Sequence, residues 1–159
     1  MRRPDLIAKG FCGFLAIDQW DTWIDQTPRD PGAYVVLRVE SGVPKFLALN
    51  KAGQFKGRKP TVPVARLKKR WVPDADVLYI GSATKLQDRV RKLCRFMEGT
   101  PVDHWGGRFL WQVAGFESFP VAWLPEPGRD PLAVERELMC EFRDRFGSWP
   151  FANIRGPRC

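Results

Sequence analysis

The chain has 159 residues, of which 44% are hydrophobic and 13% aromatic, so it is long enough to bury a core as one domain and too apolar to be disordered. Its 26 lysine and arginine residues outnumber the 18 aspartate and glutamate residues, and the net charge of +8 favours a polyanionic partner, either a nucleic acid or an anionic membrane surface. No segment approaches the roughly 20 apolar positions of a membrane-spanning helix, and the short apolar run at residues 10–17 lacks the cleavage site of a signal peptide.

Four cysteines are scattered along the chain with no Cys-x-x-Cys pair, at Cys12, Cys94, Cys140 and Cys159. This spacing supports neither a zinc ribbon nor a disulfide framework. We therefore expect reduced thiols in a cytoplasmic protein.

The first 30 residues mix tryptophan and phenylalanine with aspartate, and residues 27–31 contain two prolines that would break a helix. We interpret this segment as an amphipathic element that packs on the main domain; a partner-binding face is the alternative. The predicted organisation is an N-terminal extension of residues 1–30 followed by a domain of residues 31–155.

Residues 32–39 are rich in β-branched and aromatic side chains and predict a strand that contains Tyr34. Residues 41–44 form a predicted turn, and residues 45–49 a second strand. A basic insertion, about residues 45–73, then separates Tyr34 from the next strand.

The basic insertion has an unusual composition, because no acidic residue occurs from Ser41 to Pro73. Its cations alternate with aromatic residues such as Phe55 and Trp71, a mixture suited to phosphate contacts and base stacking. A solvated loop that only adds solubility is the alternative. The predicted nucleic-acid-binding residues are Lys51, Lys56, Arg58, Lys59, Arg66, Lys68, Lys69 and Arg70.

Residues 77–80 form a short apolar run that predicts a buried strand ending at Gly81. Thr84 followed by Gln87 matches a capping box, and apolar residues then recur at helical spacing. Arg89 falls at the edge of this apolar stripe, where its side chain can reach over the end of the strand.

Two shorter patterns follow this helix. His104 is the only histidine, and it could transfer protons or serve the structure alone. Residues 109–113 fit either a strand or a short helix, whereas residues 119–124 predict a strand with Pro120 near its start.

The last predicted helix runs from about Pro131 to Phe146, with Asp130 as its N-cap and Gly147 at its end. Glu135 falls within the apolar stripe of this helix. A carboxylate on a buried face costs several kcal/mol unless it is paired, protonated or bound to a metal. A salt bridge to one of the arginines is one explanation, and a metal site is the other.

These motifs, taken together, resemble the signature of the GIY-YIG nuclease family. The resemblance covers about residues 31–154 and consists of the following: Pro31-Gly32-Ala33-Tyr34, Tyr79-Ile80-Gly81, Arg89, the helix segment Ala133 to Met139 with Glu135, and Pro150-x-x-Asn153. Three departures are the long insertion before Tyr79, Ser82 where many members have lysine, and the long gap between Glu135 and Asn153.

The resemblance implies an α/β (α+β) domain with a small, mainly antiparallel, three-stranded central sheet flanked by helices. It also implies a metal-dependent DNA endonuclease that hydrolyses phosphodiester bonds. Glu135 would be the single protein ligand of Mg²⁺ or Mn²⁺, and Arg89 would stabilise charge on the attacked phosphate. Tyr34 or Tyr79 would position water and accept its proton, and Asn153 would help to hold the site together.

Gly81, Ser82 and His104 are accessory candidates for the same site. The expected partner is DNA, with no membrane and no organic cofactor, and a homodimer would follow if the target were a palindrome. One alternative is a non-catalytic nucleic-acid-binding module on the same fold. Another is an interaction protein that uses its tryptophan-rich N-terminus.

Overall fold

A four-stranded antiparallel sheet lies at the centre of the structure, a computed structural model that describes residues 1–39, 42–52 and 56–159. The strands are β1 (Cys12–Ala16), β2 (Gly32–Leu37), β3 (Val77–Ala83) and β4 (Pro120–Pro125), in the order β1-β4-β2-β3. The α-helices of the described residues are α1 (Arg3–Ala8), α2 (Trp20–Trp23), α3 (Val64–Arg70), α4 (Leu86–Met97) and α5 (Pro131–Phe146). The predicted α+β class with an antiparallel sheet is confirmed, but the predicted three strands are wrong.

The additional strand, β1, comes from the N-terminal segment and pairs with β4. Its register shifts between Gly13 and Leu15, and both Gly13 (φ 92°) and Phe14 (φ 57°) have positive φ. This bulge interrupts the alternation of side chains that marks a strand in a sequence. The N-terminal segment therefore showed no strand pattern, although it extends the sheet.

The central strand β2 is buried along its whole length, and its two faces contribute to two separate core clusters. Tyr34 and Val36 pack in the cluster that contains α4 residues, whereas Ala33, Val35 and Leu37 pack with α1 and α5. A strand covered on both sides requires apolar residues at every position, which explains the continuous apolar run in the sequence.

Helix α5 has the predicted bounds, Pro131–Phe146. The Asp130 side chain accepts a hydrogen bond from the backbone N–H of Leu132 at 3.0 Å, and Gly147 ends the helix with φ 69°. The helix packs against β3 and β2. Local capping and periodicity were therefore sufficient to locate it.

The start of α4 differs from the prediction in two ways. Strand β3 continues through Gly81 to Ala83, because its pairing with β2 extends to Gly32. The capping box is also absent, since Lys85 is the N-cap residue and makes no side-chain cap. Gln87 is instead buried, and its amide nitrogen donates to the carbonyl of Ile24 at 3.2 Å. This tertiary contact replaces the local one.

The predicted second strand at residues 45–49 is wrong: in this segment the structure has an isolated bridge from Phe46 to Val113 instead of a strand. Residues 105–112 form a 3₁₀ helix rather than a strand, and β4 confirms the predicted strand near Pro120. Ser41 of the predicted turn and Phe55 of the basic insertion lie outside the described residues.

Cys140 of α5 forms a disulfide with Cys159, with the Cα atoms 5.7 Å apart. The expectation of reduced thiols is wrong for this pair, because the C-terminal tail folds back towards α5, which spacing in a sequence does not reveal. Cys12 and Cys94 are free. The thiol-based reason for expecting a cytoplasmic protein is lost with the disulfide. Within the described residues, no helix has the length and apolarity needed to cross a membrane.

Candidate active site

The two tyrosines of the signature lie on adjacent strands. Tyr34 of β2 pairs directly with Gly81 of β3, and the ring centroids of Tyr34 and Tyr79 are 6.0 Å apart. A Cβ added at Gly81 would lie 2.6 Å from the hydroxyl of Tyr34. Only glycine leaves room there, so Gly81 allows the Tyr34 ring to lie across β3.

His104 contacts the first of these tyrosines in the interior. Its Nε2 lies 2.9 Å from the hydroxyl of Tyr34, and both residues are fully buried. Burial lowers the pKa of His104 to about 3, and the charge of Arg89 acts in the same direction. The imidazole is therefore neutral near pH 7, and its buried Nδ1 has no hydrogen-bond partner among the residues that the structure describes.

Arg89 of α4 sets the charge around both phenols. Burial raises the pKa of Tyr34 and of Tyr79, and the Arg89 guanidinium opposes that rise in each case. Burial alone would lower the pKa of Arg89, but the two phenols outweigh it and raise the value. Arg89 also donates to the carbonyl of Asp103 at 2.8 Å. This cation is the group best placed to stabilise a phenolate.

Glu135 is half-buried on α5 and faces β3, where the hydroxyl of Ser82 donates a hydrogen bond to its Oε2. Across the described residues, no cation forms an ion pair with Glu135, so the salt-bridge explanation is not realised. The uncharged hydroxyl of Ser82 orients the carboxylate instead.

An open cleft of about 550 Å³ lies beside Glu135. Its lining residues include Tyr79, Glu135, Asn153, Trp105, Arg58, Arg108 and Arg155. Tyr34 lies behind the cleft, and Arg89 lines a neighbouring hollow together with Ser82. The hydrogen bond from Ser82 to Glu135 therefore lies where the hollow and the cleft meet.

The cleft fits a divalent ion held by one carboxylate. No cluster of three or more His, Cys, Asp or Glu side chains occurs in the part of the chain that the structure describes. Mg²⁺ commonly keeps several waters and binds one or two carboxylates together with substrate phosphate oxygens. Glu135, with its carboxylate at an open cleft, can supply such a ligand.

Asn153 lines the cleft, but its side-chain amide is hydrogen-bonded to the backbone of β3. Its Oδ1 accepts a hydrogen bond from the N–H of Ile80 at 2.9 Å, and its Nδ2 donates to the Ile80 carbonyl at 2.7 Å. Ile80 lies between Tyr79 and Gly81, so this pair of bonds holds the segment of β3 on which the site is built.

The cations predicted to bind nucleic acid have different surroundings. Arg58 lines the cleft, whereas Lys51 lies 3.9 Å from Glu117 in an exposed ion pair. Arg70 is committed to the interior, since it donates to the carbonyls of Phe151 and Asn153. The other predicted cations are exposed, namely Lys56, Lys59, Arg66, Lys68 and Lys69.

Sequence reasoning missed two cations of the cleft, Arg108 and Arg155. Burial lowers the pKa of Arg108 to about 10, and the nearby charges of Arg66 and Arg58 add to that effect. Both missed residues lie outside the basic insertion. The run from Trp105 to Arg108, an aromatic residue followed closely by a cation, was the available signal.

Comparison of the chain with models of known protein families, with curated proteins and with solved structures found no match in any of the three.

Proposed function

We propose that this protein is a metal-dependent endonuclease that hydrolyses phosphodiester bonds in DNA, as the GIY-YIG nucleases that its motifs resemble do. The observation that carries the proposal is the convergence of Tyr34, Tyr79, Arg89 and Glu135. Tyr79 and Glu135 line the cleft, Arg89 lines the adjoining hollow, and the buried ring of Tyr34 lies 6.0 Å from that of Tyr79. A fold with no chemistry to perform has no need for this combination of side chains.

The carboxylate and the arginines have different roles towards the phosphate. Glu135, oriented by Ser82, would hold Mg²⁺ or Mn²⁺, and that ion when bound supplies Lewis-acid stabilisation of the phosphate and the leaving 3′-oxygen. Arg89 neutralises charge that develops on the phosphate from the side of the hollow. Arg58, Arg108 and Arg155 bind neighbouring phosphates along the strand.

Tyr79 is the phenol that contacts the attacking water, because it lines the cleft while Tyr34 is buried behind it. In its phenolate form Tyr79 accepts a proton from that water. Burial raises the pKa of Tyr79 above its ordinary value and the Arg89 guanidinium offsets the rise only in part, so the reactive phenolate is a minor form near pH 7. Tyr34 and neutral His104 hold the ring of Tyr79 in place from the interior side.

The test is nicking of supercoiled plasmid by purified protein, with Mg²⁺ or Mn²⁺ against a chelator. Glu135→Ala should lower the nicking rate at least about 10²-fold, since the ion loses its only protein carboxylate. Glu137→Ala is the matched control, because Glu137 lies on the same helix but is exposed and paired with Arg129. It should cut like wild type.

Two outcomes would contradict the proposal. Cleavage that persists in Glu135→Ala, or that needs no metal, would remove Glu135 from the reaction. If wild type binds DNA and cuts neither plasmid nor branched DNA, the protein is a nucleic-acid-binding module on the same fold.

A further inference from the structure

The hollow beside Arg89 is basic, and its three cations follow one face of α4 from the N-cap residue onwards. Lys85, Arg89 and Lys92 are spaced by four and three residues, the spacing that places side chains on one face of a helix, and all three line the hollow. Both lysines are exposed, and no described carboxylate forms an ion pair with either. Asp88 also lines the hollow, but its carboxylate lies 3.5 Å from the guanidinium of Arg91. The hollow therefore carries an excess of positive charge.

The lining of the hollow suits a phosphate group rather than a base. Its volume is about 260 Å³, below the roughly 300–1,000 Å³ of small-ligand sites, and no aromatic ring is among the described residues that line it. Lysines and hydroxyls such as that of Thr84 are typical donors to phosphate oxygens, whereas bases bind by stacking on rings. The cleft differs, since Tyr79 and Trp105 line it. A sugar-phosphate backbone is therefore the part of a nucleic acid that fits the hollow.

The hollow and the cleft meet at the candidate metal ligand. Ser82 lines the hollow and Glu135 lines the cleft, and the hydroxyl of Ser82 donates to the carboxylate. A phosphate bound at Glu135 would thus have the three arginines of the cleft on one side and Lys85 and Lys92 on the other. Seven residues of helix span about 10 Å, and one strand of B-DNA presents a phosphate about every 3.4 Å of its axis. The two lysines can therefore contact different phosphates.

We propose that the hollow is a phosphate subsite, in which Lys85 and Lys92 bind the DNA backbone on the side of the scissile phosphate opposite the cleft. This inference deepens the proposed function and rests on it for the choice of DNA as the ligand. Arg89 acts on the scissile phosphate itself, and the lysines bind the phosphates that come next along the strand. Because the strand is then held on both sides of Glu135, the bond that is cut lies within a continuous strand rather than at its end.

The test is a fluorescence-anisotropy titration of a labelled DNA duplex at several salt concentrations, with a chelator present so that no cleavage occurs. The slope of log affinity against log salt concentration decreases in magnitude by about 0.9 for each phosphate contact that is lost. Lys92→Gln should therefore reduce the slope by about 0.9, and Lys85→Gln combined with Lys92→Gln by about 1.8. Lys92→Arg keeps the charge and should retain the wild-type slope.

Arg95 provides a matched control on the same helix. It is an exposed cation three residues after Lys92, and it is not among the residues that line the hollow. Glutamine is a good helix former, so the substitutions leave α4 intact. Arg95→Gln should leave the slope at the wild-type value.

The outcomes separate this inference from the proposed function. A wild-type slope in the double lysine variant, or equal reductions in Lys92→Gln and Arg95→Gln, would overturn the phosphate subsite and leave the nuclease standing. If the lysine variants lost slope as expected but wild type cut no DNA, the subsite would stand and the nuclease would fall. If wild type did not bind the duplex, both would fall.

Discussion

The buried and open halves of the candidate site are built differently. In the buried half, Tyr34 and His104 are hydrogen-bonded to each other, and Asn153 is hydrogen-bonded to the backbone of β3. In the open half, Glu135 accepts a hydrogen bond from the hydroxyl of Ser82, and among the described residues that line the cleft it is the only carboxylate beside three arginines.

The two halves therefore separate the residues that position the site from those that can contact a ligand. A buried side chain whose donors and acceptors are used by the protein cannot bind substrate without breaking the interior. The arginines of the cleft raise no such obstacle, and their mutual repulsion is relieved when a polyanion binds. Mutations in the two halves should therefore affect different measurements, stability in one and activity in the other.

The largest expected effect separates the two tyrosines. Tyr79→Phe should lower the nicking rate by about 10²-fold or more, because it removes the hydroxyl group that accepts the proton of the attacking water. Tyr34→Phe should act mainly on stability, at a cost of about 1–3 kcal/mol, because it leaves the buried Nε2 of His104 without a partner. Nicking rates and urea denaturation of both variants test this assignment. A large loss of activity in Tyr34→Phe alone would reverse the two roles.

Asn153→Ala should give the next largest effect, and it should appear in stability. Without the amide, both the N–H and the carbonyl of Ile80 lose their partners, so we expect a loss of about 2–5 kcal/mol in the free energy of unfolding. Asn153→Asp retains the acceptor and should cost less. Equilibrium urea unfolding measures the stability of both variants. If Asn153→Ala were as stable as wild type, the amide of Asn153 would not be holding β3 in place.

A smaller effect is expected on the free energy of unfolding as the pH is lowered. His104 is neutral in the folded protein because its pKa is lowered to about 3, whereas in the unfolded chain it takes up a proton near pH 6.5. Stability from this residue is therefore present above pH 6.5 and is lost as the pH falls towards 3. At pH 5 the loss should be about 2 kcal/mol relative to pH 7.5.

The pH effect can be isolated because His104 is the only histidine. Burial also lowers the pKa of the N-terminal amine of Met1 to about 6, so the protein loses some stability as the pH falls from 8 to 6 and this amine takes up a proton. The informative quantity is therefore the difference between wild type and His104→Gln, measured by thermal unfolding between pH 7.5 and 5. Parallel profiles for the two proteins would contradict a buried neutral histidine.

The sequence was sufficient where local chemistry determines structure. Asp130, Pro131 and Gly147 mark the ends of α5, and the periodicity of the helix predicts that Glu135 lies towards its buried side. Prediction failed where distant contacts decide the outcome. Gln87 turns away from its own helix to the carbonyl of Ile24, and no local pattern indicates this.

The candidate site shows the same division. The resemblance of Tyr34, Tyr79, Arg89 and Glu135 to the GIY-YIG signature is the reason for expecting them to meet, and each lies on an element that local patterns predict. The hydrogen bonds from Ser82 to Glu135 and between Tyr34 and His104 depend on how those elements pack. A spacing pattern contains no information about packing of this kind.

The pairing of Asn153 with Ile80 also bears on self-association. Strand β3 lies at one end of the sheet, and its outer edge is occupied by Asn153 and by the N–H of Ala152, which donates to the carbonyl of Leu78 at 2.8 Å. At the other end, the bulge in β1 disrupts the regular row of backbone groups. Exposed strand edges are templates for intermolecular β-pairing, and both edges here are blocked or distorted. Two copies gathered on a palindromic DNA would therefore have to meet through side chains rather than by extending one sheet into the next.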